Sequence, residues 1–222
     1  MNTKERINMN TNEKAVVITG ASTGIGKATA LHLDRQGFKV FAGVRKETDA
    51  QALKQEASNK LRPILLDVTD GNSIAAAVDT IARETGGELY ELVNNAGVAT
   101  SAPLHAVEHS DLHFVFSVNV AGVVSVTKAF APLIIESKGR IATTGSIAGI
   151  LSGRGMGVYS MSKHAIEAFG DSLAEDLAGT GVKVSIVEPG AYKSHIRRSA
   201  VARATQEMEA AGAPPSDSRK NT

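Results

Sequence analysis

The segment AVVITGASTGIGKATALHLDRQG, residues 15–37, carries the pattern that decides the fold. Its start, AVVITG, is a short apolar run rich in β-branched residues, which is typical of a buried strand. Its end, GKATALHLDRQG, has helical spacing and closes at Gly37. Between them, Gly20, Gly24 and Gly26 allow the backbone to turn tightly. The segment therefore predicts a strand, a glycine loop and a helix.

The glycine loop has the chemistry of a phosphate-binding site. A helix that begins at such a loop offers free N–H groups and the positive end of its dipole to a bound pyrophosphate. The spacing, G-x-x-x-G-x-G, differs from the commoner dinucleotide pattern G-x-G-x-x-G, and a plain corner between strand and helix would also use glycine. The strand before the loop and the helix after it favour dinucleotide binding.

The rest of the chain repeats this alternation. Further strands are predicted in KVFAGV, RPILLDV, YELVNNAG, GRIATTGS and KVSIVEPG. Helices are predicted in DAQALKQEAS, in SIAAAVDTIARETG with Ser73 as N-cap, from about Asp111 to Ser137 with a bend or break at Pro132, and from Tyr159 to Leu177. The alternation predicts one α/β domain, a doubly wound Rossmann-type parallel sheet of six strands with helices on both faces. Ligands of such sheets bind at the carboxyl ends of the strands.

Composition narrows the function classes. The net charge of +1 over 222 residues gives no electrostatic case for nucleic acid as a partner. The chain has no cysteine, and its histidines show no ligand spacing, so no metal site is predicted. No apolar run of 18 residues predicts a membrane span, and the polar leader does not resemble a signal peptide. We expect a cytoplasmic protein.

Tyr159 and Lys163 are four residues apart in a predicted helix, so they share one face. A phenol ionises near pH 10, and a cation about 4 Å away could stabilise the phenolate by about 4 kcal/mol, or roughly three pKa units. The pair can therefore form an acid/base site, although the same spacing on a surface helix is common by chance.

Taken together, these motifs resemble the short-chain dehydrogenase/reductase family. The resemblance rests on the glycine loop, NNAG at 94–97, Asn119, Ser146, the Tyr159–Lys163 pair and PG at 189–190, and it covers about residues 14–194. The stretches FAGVRK, LDVTD and EPGA are most similar to the branch of retinol and hydroxysteroid dehydrogenases. The resemblance implies an NAD(P)-dependent oxidoreductase that interconverts a lipophilic small-molecule alcohol and its carbonyl compound. It also implies a homo-oligomer.

The resemblance assigns roles to four residues. Tyr159 would be the acid/base, and Lys163 would lower its pKa and bind the nicotinamide ribose. Ser146 would hold the substrate oxygen, unless it is only a strand-end turn residue. Asn119, an unfavourable residue inside a helix, would lie at a helix distortion and help a water chain to reach Lys163.

The resemblance also implies a cofactor site. Asp67 and Val68 would contact adenine, residues 94–97 would line the adenosine side or simply form a turn, and Tyr192 would bind the carboxamide. Ser194 stands where the family usually has threonine. The full predicted set is Gly20, Ser22, Thr23, Gly24, Ile25, Gly26, Arg45, Asp67, Val68, Asn94, Ala96, Gly97, Tyr159, Lys163, Pro189, Gly190, Tyr192 and Ser194.

The identity of the nicotinamide cofactor depends on the end of the second predicted strand. An acidic residue there would bind the ribose hydroxyls of NAD, but the position holds Val44, followed by Arg45. The Arg45 guanidinium could pair with the 2′-phosphate of NADP. Thr23 stands where NADP-preferring relatives often have a basic residue, and Glu47 or Asp49 could reach back. NADP is predicted over NAD.

The two ends of the chain are predicted to lie outside the fold. Residues 1–13 are expected to be a flexible tail, residues 14–194 the cofactor-binding and catalytic domain, and residues 195–222 a partial substrate-lid helix followed by a disordered tail. No seventh strand is predicted after Gly190, so the sixth strand would be an unpaired edge. We expect a complete cofactor site, a substrate pocket that is open on one side, and reduced or absent activity. The alternative function is a cofactor-binding sensor or scaffold without turnover.

Overall fold

The computed structural model describes residues 14–190 and Tyr192. In this part of the chain, six strands form one sheet in which every neighbouring pair is parallel. The strands are β1 Ala15–Ile18, β2 Lys39–Val44, β3 Leu61–Leu65, β4 Glu91–Asn94, β5 Arg140–Thr144 and β6 Lys183–Val187. Their order across the sheet is β3-β2-β1-β4-β5-β6.

Helices follow the strands as the alternation predicts. They are α1 Gly24–Arg35, α2 Glu47–Glu56, α3 Gly71–Thr85, α4 His109–Phe116, α5 Gly122–Glu136 and α6 Gly157–Asp176. A π-helical turn, Ser117–Ala121, joins α4 to α5, and short 3-10 turns lie at Leu104–Ala106 and Ile147–Gly149.

Alternate residues of β1 point into two separate cores, one on each face of the sheet. Val17 packs in a cluster with Phe41 and Phe130, whereas Val16 and Ile18 belong to a second cluster on the other face. All three β1 valine and isoleucine side chains are fully buried. This double burial explains why the strand reads as a continuous apolar run.

The winding direction changes at β1, because β2 and β3 lie on one side of it and β4 lies on the other. Loops that leave β1 and β4 must therefore diverge and leave a crevice at their carboxyl ends. The predicted fold class is confirmed, and the glycine loop opens at this crevice.

Two local predictions are wrong. The N-cap of α3 is Asp70, whose carboxylate accepts a hydrogen bond from the Asn72 amide at 2.9 Å, and not Ser73. The Ser73 hydroxyl instead accepts a hydrogen bond from the Asp67 amide. Of the bend or break predicted at Pro132, the break is wrong, because α5 continues through Pro132 to Glu136. The predictions for residues 1–13, Ser194 and residues 195–222 lie outside the described residues.

The helical stretch His109–Glu136 is long and apolar enough to cross a membrane by length and composition. In the fold it packs against the sheet, with Val126, Phe130 and Ile134 fully buried. Core helices of globular domains pass the same test, so the stretch does not by itself indicate a membrane span.

Candidate active site

The glycine loop is pressed against the turn that follows β4. Gly20 has a φ of +66°, and a Cβ atom there would lie 2.7 Å from Ala96 Cα. A Cβ atom on Gly26 would overlap both the Asn95 side-chain amide and the Gly20 carbonyl. Both positions therefore require glycine, one for backbone conformation and close approach and the other for space.

Thr19 and Asn95 fasten these two loops together. The Thr19 hydroxyl accepts hydrogen bonds from the amides of Asn95 and Ala96, each at 2.9 Å. The Asn95 side-chain amide donates to the carbonyls of Thr19 and Gly20. Thr19 is not among the residues predicted from the sequence, because its partners lie more than 70 residues away and only the folded sheet brings them together.

The start of α1 fits a phosphate group. Thr23 is the N-cap, and its side chain makes no capping hydrogen bond to the first turn. Gly24 has a φ of +58° and also lacks a Cβ atom. A helix start that lacks a side-chain cap and has a glycine cradle suits an anion held by backbone N–H groups. Ser22, Thr23 and Ile25, which complete the predicted loop, are half-buried or exposed around it.

The residues predicted to bind the adenosine part of the cofactor follow β2 and β3. Asp67 accepts hydrogen bonds from the amide and the hydroxyl of Thr69, at 2.9 and 2.7 Å. Burial raises the pKa of Asp67, but the two Thr69 hydrogen bonds and the nearby Arg45 guanidinium together lower the pKa below its usual value. Arg45 is exposed and Val68 is buried. The structure therefore brings Arg45 and Asp67 together at one end of the crevice.

The side chain of Asn94 makes its hydrogen bonds within the protein core. Its side chain is 2% exposed and donates to the hydroxyls of Thr127 on α5 and Thr143 on β5. Any contact between Asn94 and a cofactor would therefore involve its backbone. Gly97, by contrast, is exposed, and a Cβ atom there would lie 3.5 Å from Asn119 Oδ1 and 4.0 Å from Lys163 Nζ.

Asn119 lies in the π-helical turn Ser117–Ala121, at the helix distortion predicted for it. Its side chain accepts from the Val98 amide at 2.8 Å and donates to the Val98 carbonyl at 2.9 Å and the Ser162 hydroxyl at 3.0 Å. Because these bonds occupy the side chain, a water chain to Lys163 would have to use the Asn119 backbone. Ser162, three residues after Tyr159, is a further site residue that the sequence reasoning missed.

Ser146 and Tyr159 meet at the carboxyl end of β5. Both are only 9% exposed. Burial raises the pKa of the Tyr159 phenol, and a hydrogen bond with Ser146 lowers it part of the way back. The Ser146 hydroxyl also accepts a hydrogen bond from the Ala148 amide at 3.1 Å, which fixes its position.

Lys163 is buried beside this pair. Its ammonium lies 5.8 Å from the centroid of the Tyr159 ring and donates to the Thr144 carbonyl at 2.6 Å. Burial lowers the pKa of Lys163 to about 8, although the Glu167 carboxylate raises it. The resemblance predicted that Lys163 lowers the pKa of Tyr159, but in the protein alone burial dominates and the phenol pKa is raised.

The segment that follows β6 lies beside the Ser146 turn. The Pro189 carbonyl accepts a hydrogen bond from the Ile147 amide at 3.2 Å, which ties this segment to the turn after Ser146. Gly190 is exposed, and Tyr192 is 70% exposed.

This arrangement joins a glycine cradle to a buried Ser–Tyr–Lys cluster, and its sequence matches a known family. Residues 14–205 match the family described as short chain dehydrogenase. The chain belongs to this family. The resemblance inferred from the motifs is thereby confirmed.

Curated short-chain dehydrogenases resemble the chain over most of its length. It is 40% identical to retinol dehydrogenase 5 of Mus musculus over 87% of the chain and 61% of that protein. It is also 37% identical to an uncharacterized oxidoreductase of Escherichia coli K12, over 82% of the chain and 67% of that protein. The chain thus spans about three fifths of the length of the retinol dehydrogenase that it matches.

A solved structure agrees with this family assignment. A short chain dehydrogenase/reductase of Burkholderia phymatum in complex with NAD superposes with a TM-score of 0.79 at 31% identity, over 88% of this chain and 72% of that one. The similarity to the branch of retinol and hydroxysteroid dehydrogenases and the Rossmann-type sheet are both confirmed by these likenesses.

Proposed function

We propose that this chain interconverts a lipophilic alcohol and its carbonyl compound with a nicotinamide cofactor, using Tyr159 as the acid/base. The single observation that carries the proposal is the buried convergence of Ser146, Tyr159 and Lys163 beside the glycine loop. When bound, the nicotinamide would supply or accept the hydride. The protein would supply the proton and hold the substrate oxygen.

The Tyr159 phenol would exchange its proton with the substrate oxygen. In the reducing direction the phenol O–H donates to that oxygen, and in the oxidising direction the phenol oxygen takes the hydroxyl proton back. The raised pKa of Tyr159 keeps the phenol protonated at neutral pH, which suits proton donation. Ser146 would donate a second hydrogen bond to the substrate oxygen and so stabilise its developing negative charge.

The remaining residues would hold the cofactor. The glycine loop and the start of α1 would bind the pyrophosphate, and Asp67 and Val68 would contact adenine. Lys163 would bind the nicotinamide ribose. We further propose NADP over NAD, because Val44 occupies the position of an NAD-selective carboxylate and the next residue, Arg45, carries a positive charge.

A lipophilic substrate is supported by the surface beside Tyr159. Leu104 packs next to Gly157, two residues before Tyr159, and is 56% exposed. Ile150 and Leu151, which follow the Ser146 turn, are 61% and 63% exposed. The similarity to a retinol dehydrogenase makes retinol the first compound to test.

The test is a panel of alcohols and ketones, including retinol and hydroxysteroids, assayed by absorbance at the nicotinamide band with NADP and with NAD. We expect turnover of at least one lipophilic alcohol or its carbonyl partner. If the cofactor binds but no compound in the panel is turned over, the proposal is wrong and the sensor or scaffold function is the better account.

We also propose a homo-oligomeric state, which the family resemblance implies, and domain boundaries at residues 14 and 194. From composition we propose a cytoplasmic location with no membrane span and no nucleic-acid partner.

A further inference from the structure

The carboxyl group of Glu167 lies beneath the turn that presents Ser146. Glu167 follows Lys163 by four residues on α6, so both point from one face of the helix. Cβ atoms on Gly145 and Gly149 would lie 2.9 and 2.7 Å from Glu167 Oε1. The two glycines on either side of the Ser146 turn therefore leave the space that this carboxyl fills.

This carboxyl is in an unfavourable place for a charge. Glu167 Oε1 is buried and has no hydrogen-bond partner. A buried carboxylate oxygen without donors costs free energy, whereas a protonated carboxyl costs much less. The carboxyl of Glu188, which directly follows β6, lies beside Glu167 and raises its pKa. The Val187 carbonyl lies 3.4 Å from the same Gly145 Cβ position, so the end of β6 reaches this place.

The charges around Glu167 favour a proton on the pair. Burial, then Glu188 and then Asp171 raise the pKa of Glu167, and Lys163 lowers it by less. Lys163 and Asp171 are on α6, Glu188 is at the end of β6, and the turn Ile147–Gly149 carries no charge. Two adjacent carboxyls cannot both ionise without strong repulsion.

We propose that Glu167 is a positioning residue, which holds the Ser146 turn against the end of β6 through a proton that it shares with Glu188. The Ile147 amide, which donates to the Pro189 carbonyl at 3.2 Å, bridges the same two segments. Loss of the shared proton would separate the carboxyls and loosen the turn. The catalytic consequence rests on the proposed function, but the shared proton does not.

The first experiment needs no activity. The glutamate carboxyls of the full chain are labelled with ¹³C and titrated by NMR in the wild type, in Glu167→Gln and in Glu188→Gln. We expect one carboxyl of the pair to titrate above the ordinary glutamate range in the wild type. The partner left in either variant should titrate closer to that range. Ordinary titration of both carboxyls in the wild type would overturn the shared proton.

Stability provides a second measurement that is independent of activity. Because the pKa of Glu167 is raised in the folded protein, the stabilisation from its proton is present at low pH and is lost as pH rises through the folded pKa. The unfolding free energy of the wild type should therefore fall as pH rises through the folded pKa of Glu167. In Glu167→Gln this fall should be absent. The exposed Glu175, on the same helix, provides the control Glu175→Gln, which should leave the slope unchanged.

The catalytic consequence is tested by steady-state kinetics over pH. Glu167→Ala should lower kcat about tenfold, and Glu167→Gln, which can still donate a hydrogen bond to Glu188, should restore most of the loss. If loss of the shared proton loosens the turn, kcat should fall as pH rises through the folded pKa of Glu167; this fall should be absent in Glu167→Gln and unchanged in Glu175→Gln. Equal kcat in the wild type and Glu167→Ala would overturn the positioning role. An inactive wild type would instead contradict the proposed function, and the NMR result would stand.

Discussion

At the scale of single residues, burial determines the acid/base properties of the site. Tyr159 and Lys163 are each less than one tenth exposed. Burial disfavours the charged form of both, so it raises the pKa of the phenol and lowers the pKa of the ammonium. Burial therefore moves the two pKa values apart, since their ordinary values are 10.0 for the phenol and 10.5 for the ammonium: Tyr159 holds its proton more tightly, and Lys163, with a pKa of about 8, releases its proton more readily.

The lowered pKa of Lys163 predicts a pH-dependent cost to stability. Its pKa falls from 10.5 to about 8 in the folded protein, so the folded state binds the proton less tightly than the unfolded state. The cost is full below about pH 8 and disappears as pH rises towards 10.5. Lys163→Met should therefore stabilise the protein more at pH 7 than at pH 10, by up to about 3 kcal/mol. Denaturant unfolding of the wild type and the variant at both pH values measures this difference. An equal effect of Lys163→Met at pH 7 and at pH 10 would contradict the prediction.

Arg45 predicts the cofactor preference. Arg45→Asp replaces an attractive charge by a repulsive one beside the proposed 2′-phosphate, and a charge-assisted contact is worth about 1–3 kcal/mol. The ratio of kcat/KM for NADP to that for NAD should fall accordingly. Lys46→Asp makes the same charge change one residue later and should move the ratio much less. Equal shifts in the two variants would show that only net charge matters.

At the scale of elements, the junction between β1 and α1 predicts different effects for two helix-start glycines. A Cβ atom on Gly26 would collide with Asn95, whereas one on Gly71, at the start of α3, meets nothing within 4 Å. Gly26→Ala should lower the unfolding free energy by about 1–3 kcal/mol through overpacking and should weaken cofactor binding. Gly71→Ala should be neutral or slightly stabilising. Similar losses in both variants would mean that the close packing of Gly26 is unimportant.

Elements whose character is fixed by local pattern were predictable from the sequence. The six strands and their parallel arrangement follow from apolar runs that alternate with helical segments, and the glycine loop follows from its position between β1 and α1. The family resemblance correctly placed Asn119 at a helix distortion, and asparagine is an unfavourable residue inside a regular helix.

Features that depend on tertiary contacts were not predictable. Pro132 stays within α5 although proline usually interrupts a helix. The raised pKa of Tyr159 depends on burial, which residue spacing does not reveal. Glu167 did offer a signal, because it lies four residues after Lys163, but the glycines that enclose it come from a different part of the chain.

At the scale of the whole molecule, the site is divided between two parts of the sheet. The glycine loop follows β1, while Ser146 follows β5 and Tyr159 is on α6. The proposed pyrophosphate contacts are therefore on different elements from the acid/base. Substitutions in the glycine loop should therefore affect mainly cofactor binding, and substitution of the Tyr159 phenol should affect mainly the chemical step.

The most direct measurement compares cofactor affinity and turnover in the wild type and Tyr159→Phe, with the best substrate from the panel. The substitution deletes the phenol oxygen and keeps the buried ring. We predict that cofactor affinity changes by no more than about threefold, which is less than 1 kcal/mol, while turnover falls at least about a thousandfold, or about 4 kcal/mol. Turnover within about tenfold of the wild type would contradict the assignment of Tyr159 as the acid/base.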